Sequence, residues 1–218
     1  MPKALSDDEL LDTAALGESL RALARRGVVR RYRAQLLLIE EGDVGDTLYI
    51  ILDGRLRSFA AGDNGREITY GTYGAGEYVG EMSLDGGPRS ASVMTLQPSA
   101  CAVVTRATLK QHIAEHPEFA FELLAKVIRR ARAATLSAKQ LALNDVYGRL
   151  VLLLNALARS DAAGRRFIDE RLTHLEMANR LGCSREMVSR LMKDLQRGGY
   201  VVPDLERWLL PKTLPARW

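Results

Sequence analysis

Residues 172–198 read LTHLEMANRLGCSREMVSRLMKDLQRG, and the order of residue types in this stretch decides the architecture of the last third of the chain. Thr173 followed three residues later by Glu176 is a capping box. The hydroxyl accepts from one free helix N–H and the carboxylate from another, so a helix starts here. Ala178 is small enough for a second helix to cross closely. Gly182 stands at the turn, where a left-handed backbone carries no side-chain clash. Ser184 then caps a second helix, and Val188, Leu191, Met192 and Leu195 recur at the spacing that gives it one apolar, inward face. Helix, tight turn with glycine, helix is the helix-turn-helix, whose second helix enters the DNA major groove by its N-terminal residues. Here those are Ser184, Arg185, Glu186, Ser189 and Arg190. Arginine can donate a pair of bonds to guanine O6 and N7, and glutamate can accept from cytosine N4. A plain helical hairpin would not require the cap, the small residue, the glycine and the outward Arg/Glu/Arg together.

Downstream, Tyr200–Val202 and Trp208–Leu210 can pair around residues 203–207 as a two-stranded wing. Upstream, Ser160–Arg171 is polar and reads as a loop. Val146–Arg159 reads as a helix whose face carries Val146, Leu150, Leu153, Leu154 and Leu157. Asn144-Asp145 interrupts the pattern and marks a domain boundary. Before it, a helix is expected from just after Pro117 to about Leu143. Leu124, Val127, Ala131, Ala134, Ala138 and Leu141 fall in it at alternating spacings of three and four, a heptad seam with alanines that let two helices approach. Arg129, Arg130, Arg132 and Lys139 lie off the seam. A self-complementary stripe between two domains favours a parallel homodimer over packing within one domain.

The texture before residue 108 is different. Leu36–Ile39, Leu48–Leu52, Leu56–Phe59, Glu67–Tyr73 and Ala100–Thr105 are short apolar or alternating runs separated by glycine-bearing turns, Asp63-Asn64-Gly65 among them. Many short strands at this spacing predict a small β-sandwich or barrel. Residues 5–26 read as short amphipathic helices and Thr108–His116 as another. Within the β region, residues 76–92 read GEYVGEMSLDGGPRSAS. The Met82-Ser83-Leu84 segment can form a short helix with free N–H groups. Arg89 supplies a fixed cation for a phosphate, Ser90 a hydroxyl beside it, and Glu81 an acceptor for a sugar hydroxyl. On the residues alone this is either an anion site or an ordinary turn bearing a surface arginine.

Two motifs carry a family resemblance. SREMVSR is similar to the recognition helix of the cyclic-AMP receptor protein (CRP/FNR) family, an Arg-Glu pair followed by Arg one turn later. The run G-E-M-S-L with P-R-S-A resembles the phosphate-binding cassette of cyclic-nucleotide-binding domains. The resemblance spans about Leu37 to Val202. It implies an α+β chain: N-terminal helices and a cyclic-nucleotide-binding β-roll (jelly-roll) over 1–116, a dimerisation helix over 117–143, and a winged helix-turn-helix over 144–218. It further implies a ligand site of Gly80, Glu81, Met82, Ser83, Arg89 and Ser90, with Glu81 on the ribose 2′-hydroxyl and Arg89 on the cyclic phosphate. The implied DNA target is a TGTGA-type half-site, with Arg185 and Arg190 on guanines and Glu186 on a cytosine. Ser189 stands where the cyclic-AMP receptor has glycine and the FNR branch has serine. Where the family carries adjacent Thr and Ser to reach adenine, this chain has Ala134 and Thr135, leaving Thr135 alone. The expected effector is cyclic AMP, with cyclic GMP or cyclic di-GMP as alternatives. The expected partners are double-stranded DNA, RNA polymerase and a second copy of the chain.

Bulk composition narrows the classes left open. The chain has 218 residues, 47% hydrophobic and 27% charged, enough for two domains with cores of their own. Its net charge of +4 sits in the last third: residues 145–218 hold 13 Lys and Arg against 9 Asp and Glu, where a nucleic-acid partner would draw it. No apolar run reaches the roughly 18 residues that a membrane helix needs, and residues 1–11 have neither secretory nor transit character, so a cytoplasmic location is expected. Cys101 and Cys183 are too far apart for a metal or redox pair, and His112, His116 and His174 have no metal-site spacing with them. No nucleophile–base arrangement is visible. The expectation is a binding protein with no metal, no cofactor and no catalytic residue. Constitutive DNA binding without a ligand, or a nucleotide-binding module that binds no DNA, are the competing readings.

Overall fold

In a computed structural model, residues 5–62, 65–169, 172–204 and 207–215 are described. They fall into two compact units, the first holding residues up to Ala60 with Thr69–Ala131, the second Ala61–Ile68 with the residues from Arg132 onward.

The first unit is organised by strand periodicity. α1 (Asp7–Thr13) begins with a capping box between Ser6 and Glu9, and α2 (Glu18–Ala24) follows. Eight strands come next: β1 (Val28–Tyr32), β2 (Leu37–Ile39), β3 (Thr47–Asp53), β4 (Arg55–Ala61), β5 (Glu67–Gly74), β6 (Tyr78–Val79), β7 (Ser92–Thr95) and β8 (Ser99–Thr105). They form two antiparallel sheets ordered β1-β8-β3-β6 and β2-β7-β4-β5. Successive side chains of a strand point to opposite faces. Leu48, Ile50 and Leu52 of β3 therefore pack with Leu20, Leu23, Ala102 and Val104 on the helical side. Ile51, one residue out of phase, packs with Leu56, Val93 and Cys101 between the sheets. α3 (Arg106–Glu115), capped by Thr105, closes the helical side with Leu109 and the buried His112. The five predicted strands are present, and β1, β6 and β7 were not anticipated. β6 has two residues, too few for a period to show, and the arginines of β1 mask its alternation. Asp63 and Asn64 of the predicted hairpin turn lie outside the described residues.

α4 (Glu118–Leu143) is one 26-residue helix. Its residues 131–139 are all exposed, as are Phe121, Leu124, Ile128, Leu136 and Leu141. Of the predicted seam only Val127 is half-buried; the rest is open along the helix.

In the second unit, α5 (Val146–Leu157) is capped by Asp145, α6 (His174–Leu181) by Thr173 and α7 (Arg185–Arg197) by Ser184. Leu150 and Leu154 of α5, Met177 and Ala178 of α6, and Val188, Met192 and Leu195 of α7 share one core with Ile168 and Trp208. The polar stretch predicted as a loop, Ser160–Arg171, is more than that over residues 160–169, Glu170 and Arg171 lying outside the described residues. β9 (Arg159–Ser160) and β10 (Arg166–Ile168) join β11 (Val202–Asp204) and β12 (Arg207–Leu209) in a sheet ordered β11-β12-β10-β9. The Asp161 carboxylate accepts from the N–H groups of Ala163 and Arg165 and so closes the β9–β10 turn. These strands are too short for the alternation that sequence reading depends on. The wing strands lie one or two residues closer to their turn than the predicted segments, with Val202 opposite Leu209 and Asp204 opposite Arg207.

Candidate ligand and nucleic-acid sites

The first site grows out of the turn between β6 and β7. Gly80 has φ +95°, and a Cβ there would lie 2.6 Å from the Thr47 carbonyl oxygen and 2.9 Å from Arg89 Nη1. Only glycine lets the chain pass this close. The turn places Glu81 and Ser83 inward and Met82 outward, with Met82 half exposed. Arg89, 7% exposed, is gripped from several sides. Nη1 donates to the Thr47 carbonyl at 3.0 Å, the Gly80 carbonyl at 3.0 Å and Ser83 Oγ at 2.8 Å, and Nη2 to Thr47 Oγ1 at 2.9 Å. Its backbone is pinned too, donating to the Asp43 carbonyl at 2.8 Å and accepting from the Gly42 N–H at 2.9 Å. The guanidinium is thus fixed before any ligand contact is made, the condition for recognising a phosphate by geometry as well as charge.

Glu81 is buried, and a buried carboxylate needs a counter-charge. Arg130 of α4 supplies it through an ion pair with Glu81 Oε1. Arg130 also donates to the Tyr78 carbonyl at 2.6 Å and lies 4.5 Å above the Tyr73 ring. Sequence reading set Arg130 aside as an off-seam charge; the signal that could have found it is the inward Glu81, which demands a cation. Ser90 is exposed beside Arg89. Thr135 lies on the part of α4 assigned to the second unit and is exposed there. The structure therefore brings Gly80, Glu81, Ser83 and Arg89 together, and leaves Met82 pointing outward.

The second site is the start of α7. Gly182 has φ +64° and ends α6 in the left-handed conformation. Ser184 Oγ accepts from the Met187 N–H at 3.3 Å, so this predicted DNA contact serves first as a helix cap. Arg185, Glu186 and Arg190 are all exposed. The Glu186 carboxyl is held below its ordinary range by backbone N–H bonding at the helix start and by the Ser184 hydroxyl; it remains an ionised acceptor. Ser189 is half-buried, with its Oγ 2.8 Å from Nδ1 of His174 at the start of α6. No local sequence signal points to that partner, because the two residues are joined only by the crossing of α6 and α7.

Residues 29–116 match the cyclic nucleotide-binding domain family, and residues 148–211 the Crp-like helix-turn-helix domain family. A CRP-like cAMP-activated global transcriptional regulator of Mycobacterium tuberculosis is 32% identical over 74% of this chain and 74% of its own length. The cAMP-activated global transcriptional regulator CRP of Haemophilus influenzae is 31% identical over 77% of each. Among solved structures, the c-di-GMP responsive global regulator CLP of Xanthomonas campestris superposes with a TM-score of 0.77 at 27% identity, covering 89% of this chain and 99% of that one. The chain belongs to the CRP/FNR family of transcription regulators.

As a CRP/FNR protein it carries a cyclic-nucleotide-binding domain and a DNA-binding helix-turn-helix. Cys101, buried in β8 with its thiol pushed up to about 12 by burial, is a packing residue of the roll. Among the described residues no helix is long and apolar enough to cross a membrane.

Proposed function

We propose that this chain is a cytoplasmic, homodimeric, sequence-specific transcription regulator whose affinity for a TGTGA-type palindrome is set by a cyclic nucleotide, cyclic AMP in first place. The observation that carries this reading is the fixed Arg89 guanidinium beside the buried Glu81 carboxylate. A guanidinium at that point suits the cyclic phosphate and a carboxylate suits the ribose 2′-hydroxyl, with Gly80 and Ser90 beside the phosphate. In the dimer, α4 pairs along its exposed stripe, and Thr135 reaches the base. Ligand and stripe together order the two α7 helices about 34 Å apart, the spacing of successive major grooves. Arg185 and Arg190 then read guanines and Glu186 a cytosine, with Ser184 and Ser189 at the edge of the same contact. RNA polymerase is the partner such a bound dimer would meet. The reading is of a binding protein, without turnover.

The base is the open element. Two of the relatives are named for activation by cAMP and one solved structure for response to c-di-GMP. Ala134 removes a hydroxyl that could face an adenine amino group, and this favours cyclic GMP or cyclic di-GMP as a second reading. Calorimetry of the purified chain with cyclic AMP, cyclic GMP and cyclic di-GMP decides among them. Arg89→Ala is expected to abolish ligand-dependent DNA binding. If that variant binds the palindrome as the parent does, with and without nucleotide, the dimer is constitutive and the ligand reading fails.

A further inference from the structure

His174 opens α6 immediately after the Thr173 cap, and its Nδ1 lies 2.8 Å from Ser189 Oγ. Ser189 follows Arg185 by four residues and Glu186 by three, so it shares their face of α7. Both His174 and Ser189 are half-buried, which leaves the hydroxyl within reach of the groove side while its neighbour is an imidazole.

A serine hydroxyl has one proton to donate and lone pairs to accept with, and an imidazole changes its own role when it takes up a proton. With His174 neutral and its proton on Nε2, the bare Nδ1 takes the Ser189 proton, and the serine oxygen meets the groove as an acceptor. With His174 protonated, Nδ1–H donates to Ser189, and the hydroxyl proton turns outward. An acceptor suits the amino groups of cytosine and adenine; a donor suits guanine O6 and N7 or thymine O4. We propose that His174 is a positioning residue for DNA reading, whose proton state sets whether Ser189 meets a base edge as acceptor or as donor. This rests on the reading of α7 as the DNA-reading helix.

The surroundings favour the neutral form in the free protein. Burial and then the field of Arg185 hold His174 below its ordinary value. On α7 the charged groups of that face are Arg185, Glu186, Arg190 and Lys193. On α6 Glu176 is turned back to the Thr173 N–H, and Arg149 of α5 is turned to the Leu181 carbonyl at the far end of α6. Phosphates of bound DNA would oppose burial and raise the protonated fraction.

The test is fluorescence anisotropy of the full chain, with cyclic AMP and with cyclic di-GMP in parallel, on palindromic duplexes carrying each base pair in turn at every half-site position. Measurements are made at about pH 5.5 and about pH 8. For the parent, the preference at one position is expected to move toward guanine or thymine on acidification by a factor of roughly 2 to 10, the worth of one hydrogen bond. His174→Gln and Ser189→Ala are each expected to abolish that pH-dependent change, whatever they do to overall affinity, with circular dichroism confirming that both fold. The same base ranking at both pH values in the parent, or a shift that survives in Ser189→Ala, overturns the proposal. If the parent ranks no base pair above another and Arg185→Ala binds equally well, the DNA-reading assignment of α7 fails, and this inference with it.

Discussion

At the scale of single residues, the most consequential contact is the one between Glu81 and Arg130. Each group makes the other tolerable: the carboxylate is buried, and the guanidinium is largely enclosed by the Tyr73 ring and the Tyr78 carbonyl. Removing only the cation strands the anion. Arg130→Leu is therefore expected to destabilise the protein by up to about 3–5 kcal/mol, while adding Glu81→Gln recovers part of that loss. Urea denaturation of the two single variants and the double variant measures the coupling, and strictly additive effects would show that the pair is not a unit. His112 makes a second residue-scale prediction. It is fully buried in α3, edge-on to Phe119 and 4.7 Å from the His116 ring. Burial first, then the charges of His116 and Arg26, lower its proton affinity. A base whose folded value is depressed binds fewer protons folded than unfolded below its ordinary value of 6.5, so stability falls as pH drops through that value toward the folded one. Denaturation midpoints followed from neutral to mildly acid pH should decline less steeply in His112→Phe than in the parent. Equal slopes would mean that other groups carry the acid sensitivity.

At the scale of elements, the chain declares its helices and its longer strands openly and its short strands hardly at all. The capping box at Thr173 and Glu176, the glycine at 182 and the cap at Ser184 are local chemistry, and local chemistry can be read in one dimension. The cassette was less legible: Gly80, Glu81, Ser83 and Arg89 lie within ten residues of one another, but their chemistry alone fits an anion site or an ordinary turn, and it is the family resemblance that singles them out. What could not be read is whatever two distant segments make between them. Arg130 joins Glu81 across 49 positions, and His174 meets Ser189 through a helix crossing. β9 and β10 were hidden by their brevity and by the charged residues of their turn. Two element-scale outcomes follow. At Gly182 a Cβ would meet nothing closer than 3.6 Å, so Gly182→Ala should cost only the left-handed backbone, about 1–2 kcal/mol in thermal or chemical unfolding. Gly182→Asn should cost less. Along α4 the open stripe is expected to be covered by a second copy. A charge within it, as in Ala138→Glu, should turn a dimer into a monomer in sedimentation velocity without loss of helix content. A variant that sediments as the parent does would place the dimer contact elsewhere.

At the scale of the whole molecule, each unit has a core of its own: one built by the helices and two sheets of the roll, the other by α5, α6, α7 and a small sheet. Two units with separate cores on one chain are coupled through what both of them bias, and α4 belongs in part to each. If a nucleotide at Arg89 favours one arrangement of paired α4 helices, and DNA at Arg185 and Arg190 favours the same one, the two binding events must help each other equally. Coupling of this kind typically amounts to about 1–3 kcal/mol, a factor of roughly 5–150 in affinity. The factor by which saturating nucleotide tightens the palindrome, measured by anisotropy, must equal the factor by which saturating palindrome tightens the nucleotide, measured by calorimetry. A seam variant such as Ala138→Glu should reduce both factors together, because it opens the seam through which the proposed coupling would run while leaving Arg89, Glu81 and the face of α7 intact. A nucleotide affinity indifferent to the palindrome, in a protein whose DNA affinity still responded to nucleotide, would violate equilibrium linkage. It would mean that one of the two ligands acts by a route other than binding to this dimer.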